Sequence, residues 1–118
     1  MKKRDASNEF GERLDDNHYA TSILQYNVGE QCAICKQKHI EVVRHEVFGG
    51  PNRWLSKRYG LWVTVCPTCH AYLHADPKSP QAIDLKQQAQ HQAMFKNGWT
   101  TAEFIMKFGK NYLEDIVC

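Results

Sequence analysis

A small α+β domain is the architecture that the residue pattern of this chain calls for. It has two short strands, a helix directly after the second, and a helical C-terminal third. Three features carry this reading. Two C-x-x-C pairs, Cys32-Ala33-Ile34-Cys35 and Cys66-Pro67-Thr68-Cys69, bracket a stretch rich in β-branched and aromatic residues. That stretch is broken at Gly49-Gly50-Pro51 and reads as strand, short helix, strand. From Ser79 onward, apolar residues recur at helical spacing.

At 118 residues the chain makes one small domain. With 42% hydrophobic residues its core must be modest, and a domain of this size gains from a metal staple. No stretch approaches the ~20 apolar residues of a membrane span. The charged start, Met1-Lys2-Lys3-Arg4-Asp5, is followed by no apolar run. The expectation is therefore a cytoplasmic protein with no membrane partner. Five cysteines with C-x-x-C spacing then favour metal over disulfides, with Cys118 left as a free terminal thiol. A net charge of +2 is too small to coat nucleic acid, so any such contact needs a local patch.

The elements follow in order. Residues 1–20 form a polar N-terminal arm or, with Phe10 and Leu14 one turn apart, a short helix; residues 21–118 form the single domain with its C-terminal helical region. Thr21–Tyr26 alternates loosely and suggests a short strand, and Asn27-Val28-Gly29-Glu30 turns into the first cysteine pair. Ile40–Phe48 is β-branched and reads as the first main strand. Asn52–Tyr59 makes about two helical turns with Gly60 as its C-terminal stop, and Leu61–Val65 is the second strand. A helix from Thr68 or Cys69 carries His70 and His74 until Asp76-Pro77 ends it. Ser79-Pro80 opens the next helix, whose apolar positions are Ile83, Leu85, Ala89, Ala93 and Met94. Thr100 with Glu103 is a capping box for a last helix that ends at Gly109. Ala102, Phe104, Ile105 and Met106 supply its apolar side, and Leu113, Ile116 and Val117 pack back onto the body.

The two cysteine pairs offer four thiolates, the number that closes a tetrahedral zinc site. The gap from Cys35 to Cys66 exceeds the ~15–20 residues of a plain zinc ribbon, and the strand–helix–strand fills it. A redox C-x-x-C would want a surrounding βαβ pattern, which is missing. His70 and His74 lie one turn apart on one helix face. That suits two nitrogen ligands of one metal, although surface histidine pairs share the spacing. His45, alone, reads as a structural histidine; with His70 and His74 it becomes a third ligand. Arg53 and Lys57 share a helix face with Arg58 beside them, either to contact phosphates or as a solvated basic face. Trp54 and Trp62 read as core residues. His18, His39 and His91 show no partner pattern.

A strand ending in histidine, a Gly-Gly loop, a second strand and then C-x-x-C-H-x-x-x-H together resemble the HNH (ββα-metal) endonuclease superfamily. The paired C-x-x-C knuckles resemble its zinc-knuckle members. Ser22-Ile23-Leu24-Gln25, His45-Glu46-Val47-Phe48-Gly49-Gly50, Asn52-Arg53, Lys57-Arg58-Tyr59-Gly60-Leu61 and Phe108-Gly109-Lys110-Asn111-Tyr112 are similar to small HNH-like proteins of bacteriophages and prophages. The resemblance implies a treble-clef-like zinc domain and hydrolysis of DNA phosphodiester bonds by an endonuclease or nickase. It implies structural Zn2+ on Cys32, Cys35, Cys66 and Cys69, and a catalytic divalent metal on His45, His70 and His74. Imidazole-rich ligation leans towards Mn2+, Ni2+ or Zn2+, with Mg2+ also admitted. DNA is the implied partner, with phage or host proteins of recombination, replication or packaging as further ones. The general-base position then falls on Glu46, where the family carries a histidine. A glutamate (pKa ~4.3) is a weaker base at neutral pH than a histidine (~6.5). In a second register His45 is the base, with Arg44 beside it and only His70 and His74 on the metal. Leu61 replaces an asparagine that usually braces the loop. The rival reading is a catalytically degenerate zinc module that binds DNA or protein, and Glu46 is its support.

Overall fold

The structure, a computed structural model, describes residues 7–114; Ile116, Val117 and Cys118 lie outside the described residues. Among the described residues it is a small α+β fold with a two-stranded sheet and four α-helices. Strands β1 (Val43–Glu46) and β2 (Trp62–Val65) pair antiparallel, with His45 opposite Val63 and Glu46 opposite Trp62. Between them run a single turn of 3-10 helix at Gly50–Asn52 and helix α1 (Arg53–Arg58). Helix α2 (Pro67–Ala75) leaves β2 directly, followed by α3 (Pro80–Asn97) and α4 (Thr101–Phe108).

The pleat of the sheet sorts its side chains. Arg44, Glu46, Trp62 and Thr64 share one face, where the segment before the first knuckle lies; the Trp62 indole donates to Ala20 O and Thr64 N–H to Gln25 Oε1. Val43, His45, Val63 and Val65 share the other. An aromatic group of Phe48, Phe104, Phe108 and Tyr112 closes the core beside the loop after β1, with Phe104 and Phe108 stacked at 4.3 Å. Buried Gln90 of α3 fixes the segment after α4 by hydrogen bonds with Asn111 and the Tyr112 amide.

Most boundaries follow the sequence signals. Ser79 Oγ accepts from Ala82 N–H, Thr100 and Glu103 form the full capping box, and Gly98 and Gly109 close α3 and α4 at positive φ. Gly60 is needed twice over: its φ is +72°, and a Cβ there would sit 2.2 Å from the Thr21 carbonyl oxygen.

Several expectations are corrected. Residues 21–26 form no strand. The Ser22 hydroxyl accepts from Leu24 N–H and Gln25 N–H and donates to Trp62 O, and this local ring of bonds replaces a ladder. No helix forms over residues 7–20. They run as an extended strap with tight turns, burying Leu14, Tyr19 and Ala20. The first main strand is limited to four residues, because past Val47 the chain turns to meet α1. Helix α2 starts earlier than expected, with Pro67 at its first position and Cys66 before it. Trp62 is in the core, but Trp54 is 61% exposed. On α4 the inward residues are Phe104 and Phe108, while Ala102, Ile105 and Met106 face outward.

Candidate metal centres

The first centre gathers Cys32, Cys35, Cys66 and Cys69, whose sulfurs all lie within 4.8 Å of one another. The first knuckle is built by the backbone. Cys32 N–H donates to Gln37 O, Lys36 N–H donates to Cys32 O, and Lys36 takes a left-handed φ of 67° to complete the turn. Cys35 N–H points at Cys32 Sγ, 3.4 Å away. The second knuckle is the start of α2, so its two sulfurs come from the cap and the first turn of a helix. Cys35 Sγ and Cys66 Sγ are 4.0 Å apart, close to the ~3.8 Å that tetrahedral ligation at ~2.3 Å requires. Burial opposes ionisation of Cys32, but amide N–H groups of Cys35, Cys66 and Ile34 outweigh it and bring the thiol down to about 6. Burial and then the neighbouring thiols push Cys69 up to about 12. Four thiolates cannot share this space without a cation to offset them, so the group fits a structural metal ion.

The second centre is made by His45 of β1 with His70 and His74 of α2, again within 4.8 Å. Pairing opposite Val63 points His45 at α2, where it is 8% exposed. The ring centroids of His45 lie 5.4 Å from His70 and 5.3 Å from His74, both edge-on. His70 Nε2 and His74 Nε2 are 3.1 Å apart, matching the ~2.9–3.4 Å between nitrogens bound at ~2.0–2.1 Å to one ion. His45 Nδ1 is buried and has no hydrogen-bond partner. Burial, then the two neighbouring imidazoles, hold His45 down to about 4; burial and His74 also hold His70 below its ordinary value. At neutral pH both rings are uncharged, the form in which imidazole ligates. These three residues fit a divalent cation. Helix α2 serves both centres, since its N-terminus is fixed by Cys66 and Cys69 and its first two turns carry His70 and His74.

Around the histidines stands a charged network. Glu46 accepts from Arg53 Nε at 2.8 Å with one oxygen and from the Tyr19 hydroxyl with the other. Burial, then Glu46, pushes the Tyr19 hydroxyl up to about 12, so it remains a donor. Arg44 lies over the rings of Tyr19 and Trp62 and pairs with Asp15 at 3.1 Å. Of the three cations anticipated on α1, Arg53 meets Glu46, Lys57 stands over the Tyr19 ring at 4.9 Å, and Arg58 pairs with Glu9 at 3.0 Å. The Arg53 side chain is still 64% exposed. A cleft of about 170 Å3 opens beside the cluster, lined among others by His45, Glu46, His74 and Lys86.

Three residues of this region escaped sequence reasoning. Tyr19 lies in a polar stretch that gave no signal. Lys86 belongs to no motif of the sequence and is half-buried on α3. Ser56 is fully buried, and its hydroxyl accepts from Phe48 N–H and donates to Phe48 O. It braces the loop between β1 and α1. His18, His39 and His91 take no part in either cluster.

No family description, curated protein or solved structure matches the chain. Among the described residues no helix is long and apolar enough to cross a membrane.

Proposed function

We propose that this protein is a metal-dependent DNA endonuclease or nickase of the HNH (ββα-metal) type. Structural zinc would be held by Cys32, Cys35, Cys66 and Cys69, and a catalytic divalent metal by His45, His70 and His74. The observation that carries the reading is the convergence of three imidazoles from one strand and one helix, with His45 buried and its Nδ1 unpartnered. The order strand, antiparallel strand, helix supports it, as does the thiolate group at the start of that helix. A bound divalent cation supplies the positive centre that polarises a phosphodiester and stabilises the departing oxygen. The protein's own part is to hold neutral imidazoles in place and to offer cations to the DNA backbone. Arg53, anchored at Glu46 through Nε and otherwise open to solvent, is suited to take a phosphate oxygen. Lys57 and Arg58 flank it on α1. The grouping of all three histidines favours His45 as a ligand and Glu46 in the base position. The likeness to phage and prophage proteins makes recombination, replication or packaging the setting.

One observation favours a second reading. Both oxygens of Glu46 already have donors, Arg53 and Tyr19. A carboxylate so engaged is a poor acceptor for a proton from water, which suits a zinc module that binds DNA or protein without cleaving it.

Plasmid cleavage separates the two. Mild chelation strips the histidine site while the four-thiolate zinc resists; Mg2+, Mn2+, Ni2+ or Zn2+ is then restored in turn. The nuclease reading expects metal-dependent nicking that disappears in His70→Ala. Intact plasmid under every metal, from folded zinc-loaded protein, discards the nuclease and leaves the binding module.

A further inference from the structure

We propose that Tyr19 is a positioning residue for DNA binding: through Glu46 it holds Arg53 ready for a phosphate. The strap of residues 7–20 thereby becomes part of the DNA-contacting apparatus. The inference rests on the DNA-directed reading above, and it holds for a nuclease and for a DNA-binding module alike.

A chain of three side chains carries it. The Tyr19 hydroxyl donates to one oxygen of Glu46, and the other oxygen accepts from Arg53 Nε at 2.8 Å. Glu46 ends β1 next to His45 and lines the cleft beside the histidines. Arg53 opens α1 and meets Glu46 through Nε; among the described residues its Nη1 and Nη2 have no partner. Those two nitrogens form the outer edge of the guanidinium, the two-pronged donor that matches a phosphate. The Glu46 side chain is only 10% exposed, so the pair has a buried end and an open one.

The hydroxyl of Tyr19 matters because an exposed arginine is poorly held on its own. One hydrogen bond to a carboxylate that is free to turn leaves many arginine rotamers populated, and exposed ion pairs of that kind hold little. A carboxylate with a separate donor on each oxygen cannot turn. Tyr19 is itself fixed. It is buried, its amide donates to Asp15 Oδ1, and its carbonyl accepts from Asp15 N–H, both at 2.9 Å. Its ring stands edge-on to Trp62 at 5.3 Å, with the Arg44 guanidinium 4.1 Å from the centroid. The next residue, Ala20, donates its N–H to Lys57 O of α1 at 2.8 Å, one turn beyond Arg53. Arg53 thus gives up its rotamer freedom on folding and has little left to lose on meeting DNA.

Two measurements test this on the full-length protein, at matched metal content across variants. Tyr19→Phe removes the hydroxyl and keeps the ring contacts. Because Glu46 lines the cleft, water reaches the freed oxygen, and the melting temperature is expected to show the fold kept. In the free protein, 15N relaxation of the arginine Nε groups compares Arg53 with exposed Arg13. Arg53 Nε is expected to be as ordered as the backbone in the wild type and to approach the mobility of Arg13 in Tyr19→Phe. Anisotropy of a labelled DNA duplex at several salt concentrations, with no divalent cation added, then completes a double-mutant cycle. Arg53→Gln is expected to weaken binding and to flatten the dependence of log K on log salt by about 0.9, the loss of one phosphate contact. Tyr19→Phe is expected to weaken binding several-fold when Arg53 is present and to change nothing in the Arg53→Gln background. A tyrosine that only stabilises the fold would weaken both alike, and that result overturns the inference. So does a wild-type Arg53 as mobile as Arg13, or an Arg53 equally ordered without the hydroxyl. If Arg53→Gln binds as the wild type does, DNA binding stands and the inference falls alone. If the wild type binds no DNA at any salt concentration, the DNA-directed reading falls and takes this inference with it.

Discussion

Ser56 shows how one small side chain holds the site in shape. The loop between β1 and α1 must leave the sheet just after His45 and Glu46, and its Phe48 is at once buried and cut off from the ladder. The Ser56 hydroxyl supplies both missing partners of Phe48, at 2.9 Å and 2.8 Å. Ser56→Ala would leave a donor and an acceptor unpaired in the core, at a cost of about 2–4 kcal/mol. Urea unfolding of the variant and the wild type at matched metal content measures it, and a change below about 0.5 kcal/mol would show that the loop finds other partners. Glu46 is the complementary case: a residue whose chemistry is limited by its neighbours. Tyr19, kept protonated by burial and by the carboxylate itself, and Arg53 together fix its orientation. A neutral histidine has one acceptor nitrogen and could not take both donors, so the paired Tyr19 and Arg53 contacts belong to the glutamate that this chain carries.

At the scale of elements, α2 is the organising piece, because it supplies two sulfurs to one centre and two imidazoles to the other. Helix α4 has a different role: it places Phe104 and Phe108 against Phe48, under the loop that Ser56 braces. Its start depends on the reciprocal bonds of Thr100 and Glu103. Thr100→Ala removes half of that box and is expected to cost about 1 kcal/mol, read as a melting temperature lower by about 4 °C. An unchanged melting temperature would mean that packing alone nucleates α4. These caps were legible because they are local, spanning residues three apart, as are the C-x-x-C and H-x-x-x-H spacings that ligand geometry imposes. What the sequence hid is long-range. Thr21–Tyr26 has the alternation of a strand, but Ser22 finds closer partners and ties the segment to Trp62 from the side. Trp54 looked like core because it is large and apolar, yet α1 already buries Leu55 and Ser56 on its inner side. The cysteine cluster could be read from its C-x-x-C spacing and the His70–His74 pair from its one-turn step, whereas His45 joined them only through the resemblance of the whole layout. Tyr19 and Ser56 could not be read, since each acquires its role only from a partner elsewhere in the chain.

At the scale of the whole molecule, residues 7–20 act as a strap tied across three elements by carboxylates. Glu9 meets Arg58 and Tyr59 of the α1 region, Glu12 meets Lys96 near the end of α3, and Asp15 meets Arg44 of β1. For each carboxylate burial favours the protonated form, but hydrogen bonds and the facing cation outweigh it. All three are therefore held below their ordinary values. Because the folded-state pKa is depressed, the stabilisation is present above the unfolded values, about 4.5 for glutamate and 3.8 for aspartate. It is lost as pH falls from about 4.5 through the lower folded values. The strap also carries Tyr19, so its release removes one of the two donors that hold Glu46. Hydrogen exchange, corrected for intrinsic rates, is expected to show amides of residues 8–20 losing protection below pH 4.5. Acid also protonates the four thiols and weakens their hold on a metal ion, so a companion variant separates the causes. In Glu9→Gln/Glu12→Gln/Asp15→Asn the strap should already be loose at pH 7 and respond little to further acid, while α3 retains its protection. If the strap of this variant is as well protected at neutral pH as that of the wild type, its attachment rests on the burial of Leu14, Tyr19 and Ala20, and the three ion pairs contribute nothing.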